Sequence, residues 1–338
     1  MDTFRYARPA GPSVQSVQSE RSAQGGTGLS PALSGQGPLT STVPKELVHR
    51  AAVAEVLLTG WERRADARFA VTAQWPRGHS FFTPVGGTHY DPLMVAETIR
   101  QVGSLLAHAE FGVPVGHQFL MHDLEIAVQP GQLVVEAVPA SLDIEVTYPQ
   151  VKQRRLQHAG ARYEAVVRRE GRVVARGSAS YTCVSSQVYQ RVRAGRLSEG
   201  RPAIRLTAPL SPQSVGRMSP TDVVLSPLGE ADGWQLRVDT RHPILFDHPV
   251  DHIPGMMLLE AARQAATAVL NRSSLTRSSF LPTSLVSRFR RYAELDSPCT
   301  VQAHRLPADP GEHRVLVSGH QDGEPLFDVT VSACDLRG

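Results

Sequence analysis

The chain has 338 residues, of which 41% are hydrophobic and 20% charged, with a formal net charge of +3. A near-neutral balance without a concentrated basic stripe excludes a nucleic-acid footprint, and no run of about 18 uncharged apolar residues offers a membrane span. The start of the chain has no signal-peptide pattern, and Cys183, Cys299 and Cys334 are odd in number and form no CxxC pair, so neither a disulfide framework nor a metal site is expected and the expected setting is cytoplasmic.

Residues 1–42 are rich in Ser, Gly, Pro and Gln and are expected to be a disordered tail. A first domain over 43–186 opens with strand-like patterns at 51–61 and 68–75, followed by a loop with His79, Phe81-Phe82 and Gly86-Gly87. Asp91-Pro92 then reads as an N-cap and first turn, and the helix is expected to stop near Phe111, before Gly112 and Pro114. Strands are predicted over 118–128, 133–147, 156–169 and 172–184. Residues 187–214 form a polar, Arg-rich linker. A second domain over 215–338 repeats the order, with strands at 223–228 and 234–239, a loop over 240–253 and a helix from Pro254-Gly255 to about Asn271. Further strands follow near 283–293, 299–306, 314–320 and 325–333.

Each predicted helix carries a polar line on an otherwise apolar surface: Glu97, Arg100, Gln101 and Ser104 in the first, Glu260, Arg263, Gln264 and Thr267 in the second. Spacings of i, i+3, i+4 and i+7 place each set on one helix face. A helix apolar on nearly every side is a buried helix, and a buried carboxylate and guanidinium are costly unless paired or used. The same offset of 163 residues relates Glu97 to Glu260, Arg100 to Arg263, His79 to His242 and His89 to His252. The chain is therefore read as a tandem duplication of a domain-sized unit. A short strand pair, one buried helix and three or four antiparallel strands fit a curved sheet wrapped around a central helix. The expected fold is α+β: a double hotdog, in which two tandem units form a pseudo-dimer.

The Glu–Arg pairs have two readings, internal i, i+3 salt bridges that make burial tolerable or a functional charge line beside a cleft; retention of buried charge favours the second. His79 and His242 suit hydrogen-bonded structural roles, and Gln101 and Gln264 suit backbone contacts. His89 and His252, just before the helices, are divided between loop anchoring and the site. The stretch from His248 through Pro254-Gly255 to Glu260 and Gln264 resembles the active-site segment of hotdog acyl carrier protein dehydratases, with His248 and Glu260 in the places of the dehydratase histidine and acid. Their spacing of 12 is shorter than in the dehydratases and counts against dehydration. The first copy has Val85 where the second has His248. If each site draws its histidine from one unit and its acid from the other, His248 with Glu97 is the complete pair and Val85 with Glu260 the degenerate one.

Several long strings carry a further resemblance: Val48-His-Arg-Ala-Ala-Val-Ala-Glu-Val, Gln74-Trp-Pro-Arg-Gly-His-Ser-Phe-Phe, Tyr90-Asp-Pro-Leu-Met-Val-Ala-Glu-Thr-Ile-Arg-Gln and His108-Ala-Glu-Phe-Gly-Val-Pro-Val-Gly-His-Gln-Phe-Leu-Met. With these the chain, from about residue 43 onward, is similar to the A-factor biosynthesis family of γ-butyrolactone autoregulator synthases. The resemblance implies an acyltransferase that moves a β-ketoacyl chain from acyl carrier protein to the hydroxyl of dihydroxyacetone phosphate, the ester then condensing to a butenolide phosphate. It implies Glu97 and Arg263 as functional positions.

The residue types suit that chemistry. A base, His248 or Glu97, takes the hydroxyl proton; Arg263 offers a forked cation for phosphate, with Arg100 and His252 as further substrate-binding candidates. Helix N-termini at Asp91 and Pro254 could polarise a thioester carbonyl. No cofactor or metal is required, and direct transfer without an acyl-enzyme is expected. A hotdog thioesterase or dehydratase, and a non-catalytic acyl-binding regulator, are the alternatives. The pseudo-dimer is expected either as a monomer or as a homodimer.

Overall fold

The computed structural model describes residues 39–154, 157–198, 204–229, 232–273 and 279–336. The expected disordered tail thus lies outside the described residues up to position 38. The first repeat comprises β1 (Leu58–Ala65), β2 (Arg68–Trp75), α1 (Pro92–Ala109), β3 (Gln118–Val128), β4 (Ala140–Arg154), β5 (Gln157–Arg169) and β6 (Arg172–Val184). After α2 (Ser186–Ser198), the second comprises β7 (Leu225–Pro227), β8 (Gly233–Leu236), α3 (Gly255–Ser273), β9 (Ser279–Phe289), β10 (Cys299–Leu306), β11 (Glu312–Gln321) and β12 (Glu324–Leu336).

The strands form one antiparallel sheet in the order β1-β2-β4-β5-β6-β3-β9-β12-β11-β10-β8-β7, so the repeats meet edge to edge through β3 and β9. The seam pairs residues 123–127 with residues 288–284 about a centre at Glu125 and Val286, and next to that centre Leu124 pairs with Ser287. Ser287 Oγ donates to Leu124 O at 2.5 Å and accepts from Leu124 N at 3.2 Å. β3 and β9 are offset by 161 residues at both ends, so Glu125 faces its own repeat equivalent, Val286; that pair marks the pseudo-two-fold axis, and the double hotdog is a pseudo-dimer within one chain.

Each repeat wraps its sheet around its helix. In α1 the Asp91 carboxylate accepts from Leu93 N at 2.9 Å and Pro92 takes the first turn. Every α1 residue except Arg100 and Ala109 is buried, each large apolar side chain contributing about 1.5–3 kcal/mol by leaving water. Contact with the sheet is close at Gly103, where an added Cβ would lie 2.5 Å from Tyr163 Oη. Tyr163 Oη already donates to Ile99 O at 2.8 Å. Gly103→Ala is expected to displace that ring and cost about 1–3 kcal/mol, measured as a lowered denaturant midpoint with unchanged slope.

The strand patterns at 68–75, 118–128, 172–184 and 299–306 coincide with β2, β3, β6 and β10. The strand expected near 283–293 is β9, four residues earlier, and two other expectations shift. Val53–Glu55 form a 3₁₀ turn and β1 begins only at Leu58, because the Gln101 amide accepts from Leu57 N and donates to Glu55 O. The strand expected from 133 begins at Ala140: Leu133 O and Val135 N instead bond the loop before α1, at Tyr90 and Thr88. The expected linker contains a helix, α2. Among the described residues no helix is long and apolar enough to cross a membrane.

Candidate active site

The polar lines of the two helices become two buried carboxylate clusters. Glu97, 1% exposed, receives Arg100 Nε (2.9 Å) and Nη2 (2.7 Å), Arg50 Nε (3.0 Å) and Gln101 Nε2 (2.7 Å). Glu260, with no exposure, receives Arg263 Nε (2.9 Å) and Nη2 (2.6 Å), Arg217 Nε (2.8 Å) and Gln264. Burial opposes ionisation of both carboxyls, but the paired guanidiniums outweigh it and hold each at about 2. Both are therefore carboxylates saturated with donors. The i, i+3 pairs are real salt bridges, and a second arginine, Arg50 or Arg217, completes each cluster from the segment before β1 or β7. Each of these arginines also reaches across the pseudo-axis: Arg50 Nη1 donates to Ile244 O at 3.3 Å, and Arg217 Nη1 to Phe81 O at 2.5 Å.

The clusters differ in access. A cavity of about 230 Å³ opens over the first and is lined by Arg50, Arg100 and Ser104 on one side and by His248, His252 and Gly255 on the other. Arg100 is 20% exposed at its side chain. Its Nε and Nη2 are held by Glu97 and Val48 O, while its Nη1 has no hydrogen-bond partner among the described residues. Arg263 is 6% exposed, and neither it nor Glu260 lines this cavity. Over the second cluster the Phe81 ring covers Arg217, with the guanidinium 4.2 Å from its centroid.

Two histidines of the loop before α3 reach the open cavity. His248 Nδ1 lies 3.3 Å from Asp247, whose carboxylate also accepts from Ala51 N (2.5 Å) and Ala52 N (3.1 Å), tying the second repeat's loop to the first repeat. Asp247 is buried, which works against its charge, yet these donors and Arg50 keep its pKa below the ordinary value. His252 Nδ1 lies 2.8 Å from Asp251. At the start of α3 the Gly255 and Met256 N–H groups belong to a first turn without intrahelical acceptors, and both residues line the cavity.

The sequence-predicted residues thus separate. Arg100, His248 and His252 meet at one cavity, with Glu97 behind Arg100; Glu260 and Arg263 sit in the other cluster. His79 and His242 are structural in the manner expected: each Nδ1 accepts two backbone N–H groups, and Glu55 or Asp222 stands beyond the ring. Gln101 and Gln264 hold backbone, as expected, and their glutamates as well. Cys183 and Cys299 are buried and pushed up to about 12 by that burial, which suits core residues and not nucleophiles. Sequence reading missed Arg50, Arg217, Asp247 and Asp251. It also missed His49, whose Nε2 lies 2.7 Å from His108 Nε2 and whose ring lines the cavity. Burial, then the charge of Arg100, lowers His49 to about 3 and keeps it neutral.

The sequence profile of the A-factor biosynthesis hotdog domain matches residues 32–185 and 200–336. A Streptomyces virginiae protein named 2-oxo-3-(phosphooxy)propyl 3-oxoalkanoate synthase is 56% identical over 298 residues, covering 88% of this chain and 97% of the relative. A Streptomyces coelicolor protein of the same name is 44% identical, covering 88% of this chain and 93% of the relative. Among solved structures, a Lactobacillus plantarum protein assigned as an oleoyl thioesterase superposes with a TM-score of 0.52 at 13% identity, covering 80% of this chain and 97% of that one. At that identity the likeness speaks for the hotdog fold alone.

Proposed function

The chain belongs to the A-factor biosynthesis hotdog family, and from that premise we propose that it is an acyltransferase joining a 3-oxoacyl chain to the hydroxyl of dihydroxyacetone phosphate. The product is the ester whose name its relatives carry. The observation that carries the reading is the unpartnered Nη1 of Arg100 on the wall of a cavity that also holds His248 and the first turn of α3.

Arg100, fixed by Glu97, presents its outer edge to the triose phosphate, a charge-assisted contact in partly excluded water. Glu97, held at about 2 by its arginines, is an anchor for the cation and not the base. His248, backed by Asp247, takes the proton as the hydroxyl oxygen attacks the thioester carbonyl. The Gly255 and Met256 N–H groups face the oxygen that becomes negative. Collapse expels the thiolate and leaves the ester, with no acyl-enzyme.

We take acyl carrier protein as the donor, which suits the cationic Arg290 and Arg291 beside a second cavity of about 240 Å³ that shares His252 and Gly255 with the first. A cytoplasmic setting goes with free thiols at all three cysteines. Because one chain already joins both repeats around the cavity, the reading does not require a second copy.

The test is mass spectrometry of the purified chain with a 3-oxoacyl carrier protein, with and without dihydroxyacetone phosphate. Triose-dependent appearance of the phosphorylated ester or its butenolide supports transfer. Release of free acid irrespective of the triose would make the protein a thioesterase, and no acyl loss at several chain lengths would leave a binding protein.

A further inference from the structure

Two polar side chains of the linker helix α2, Tyr189 and Arg193, bond the loop before α3. Tyr189 Oη donates to Asp251 Oδ1 at 2.6 Å and lies 3.3 Å from His252 Nδ1. Arg193, 4% exposed, bonds Asp251 Oδ2 at 3.3 Å, Asp251 O at 3.2 Å and both oxygens of Glu294, at 2.5 and 2.7 Å. Its guanidinium lies over the Tyr292 ring at 4.7 Å, and Tyr292 meets the His252 ring edge-on at 4.9 Å. A buried arginine with two carboxylates and a ring is far more fixation than a tether between domains needs.

The residue so fixed is His252. Its Nδ1–H has Asp251 and Tyr189 as acceptors, which leaves Nε2 as the nitrogen for other chemistry. The ring forms part of the wall of both cavities, beside Gly255. His248 belongs to the opposite end: its partner Asp247 grips Ala51 and Ala52, next to Arg50 and the triose-phosphate anchor. A thioester carbonyl seated at the α3 first turn therefore has His248 on the side of the incoming hydroxyl and His252 on the side of the second cavity.

Resting on the acyl-transfer reading above, we infer that helix α2 is part of the catalytic apparatus: Tyr189 and Arg193 are positioning residues that hold the Asp251–His252 pair so that His252 Nε2 protonates the departing thiolate. In the step the hydroxyl oxygen forms the new C–O bond while its proton goes to His248. The C–S bond then breaks, its electron pair stays on sulfur, and the His252 proton converts the thiolate to the thiol. His248 ends with one proton more and His252 with one fewer, and exchange with water restores both. Asp251 stays ionised: burial opposes its charge, but hydrogen bonds from Tyr189 and His252 and the charges of His252 and Arg193 outweigh it. The titratable and charged groups around His252 are Asp251 on its own loop, Tyr189 and Arg193 on α2, and Tyr292 and Glu294 after β9, with His122 of β3, Arg290 and Arg291 on the second cavity and His248 and Arg100 on the first.

The test uses the full chain, dihydroxyacetone phosphate and two small 3-oxoacyl thioesters, one of N-acetylcysteamine and one of 4-nitrothiophenol. An alkyl thiolate needs a proton to leave; the nitrothiophenolate does not. His252→Gln is expected to slow the alkyl thioester by about 10²-fold with little effect on the aryl one. Tyr189→Phe and Arg193→Met are expected to show the same selective loss at roughly tenfold, with the fall in kcat and not in KM for the triose. Equal loss on both thioesters in all three variants would overturn the inference, since a merely structural helix is blind to the leaving group, and would leave acyl transfer standing. No transfer by the unmodified protein from either thioester would overturn the transfer reading, and the inference with it.

Discussion

Arg100→Ala is expected to lower kcat/KM for dihydroxyacetone phosphate by about 10- to 100-fold, the value of losing charge-assisted hydrogen bonds of about 1.5–3 kcal/mol, while the acyl donor's KM stays within a few-fold. Among the described residues Arg100 has an unpartnered edge on the cavity wall, and Glu97 keeps Arg50 and Gln101 after the change, so the carboxylate is not stranded. The cavity supplies water to the vacated place. Arg263→Ala, at the equivalent position, has less access to water, being 6% exposed against 20%. It is expected to lose activity together with a lowered Tm, whereas Arg100→Ala loses activity with a smaller thermal shift. Steady-state kinetics beside thermal unfolding of the two variants separates the cases; a selective triose defect in Arg263→Ala with full stability would place the phosphate at the second cluster.

Glu260→Gln is expected to destabilise the fold by about 3–5 kcal/mol, because it removes the carboxylate that both buried guanidiniums bond and leaves them only Asp91, 3.9 Å from Arg217 Nη1. For a chain of this size that is a fall of roughly 5–8 °C in Tm. The same charges govern the acid limb. Glu97 and Glu260 lie at about 2 in the fold against an ordinary 4.5. Their contribution is fully present above about pH 4.5 and is lost as pH falls toward 2, when the unfolded chain binds the protons first. Urea unfolding between pH 7 and 3 is expected to show a flat upper region and a fall below about 4.5 that is shallower in Glu260→Gln. An acid limb of equal steepness in the variant would remove this carboxylate from the account.

Helices α1 and α3 and most strands were legible because their patterns are strong. The β2 alternation is carried by buried Phe69, Val71, Ala73 and Trp75, and the capping pair Asp91-Pro92 sets the start of α1. The polar line was legible for the same reason, since Glu97 and Arg100 are too costly to bury idly. The partners of that line were not. Arg217 follows Arg50 by 167 residues, and Asp222 follows Glu55 by the same step, whereas the helices are offset by 163. The stretch that holds the first hairpin, from Glu55 to His79, is four residues longer than its counterpart from Asp222 to His242, and that difference hides the arginines from an ungapped repeat. A gapped comparison anchored on the strings around Val48 and Val215 could have found them.

Helix α2 was hidden for another reason. Its sequence is polar, and what fixes it is tertiary: one buried arginine between Asp251 and Glu294. The asymmetry of the two sites was half legible. Val85 in place of His248 is a sequence fact, but that Phe81 covers Arg217, while Ile244 at the equivalent place sits beside an open cavity, is a matter of packing.

The central claim is that a duplicated chain carries one triose-phosphate site, built on Arg100. Calorimetric titration of dihydroxyacetone phosphate into the full chain tests it directly. One site per chain, lost in Arg100→Ala, is the predicted result; two sites per chain, or undiminished binding in Arg100→Ala, would contradict it.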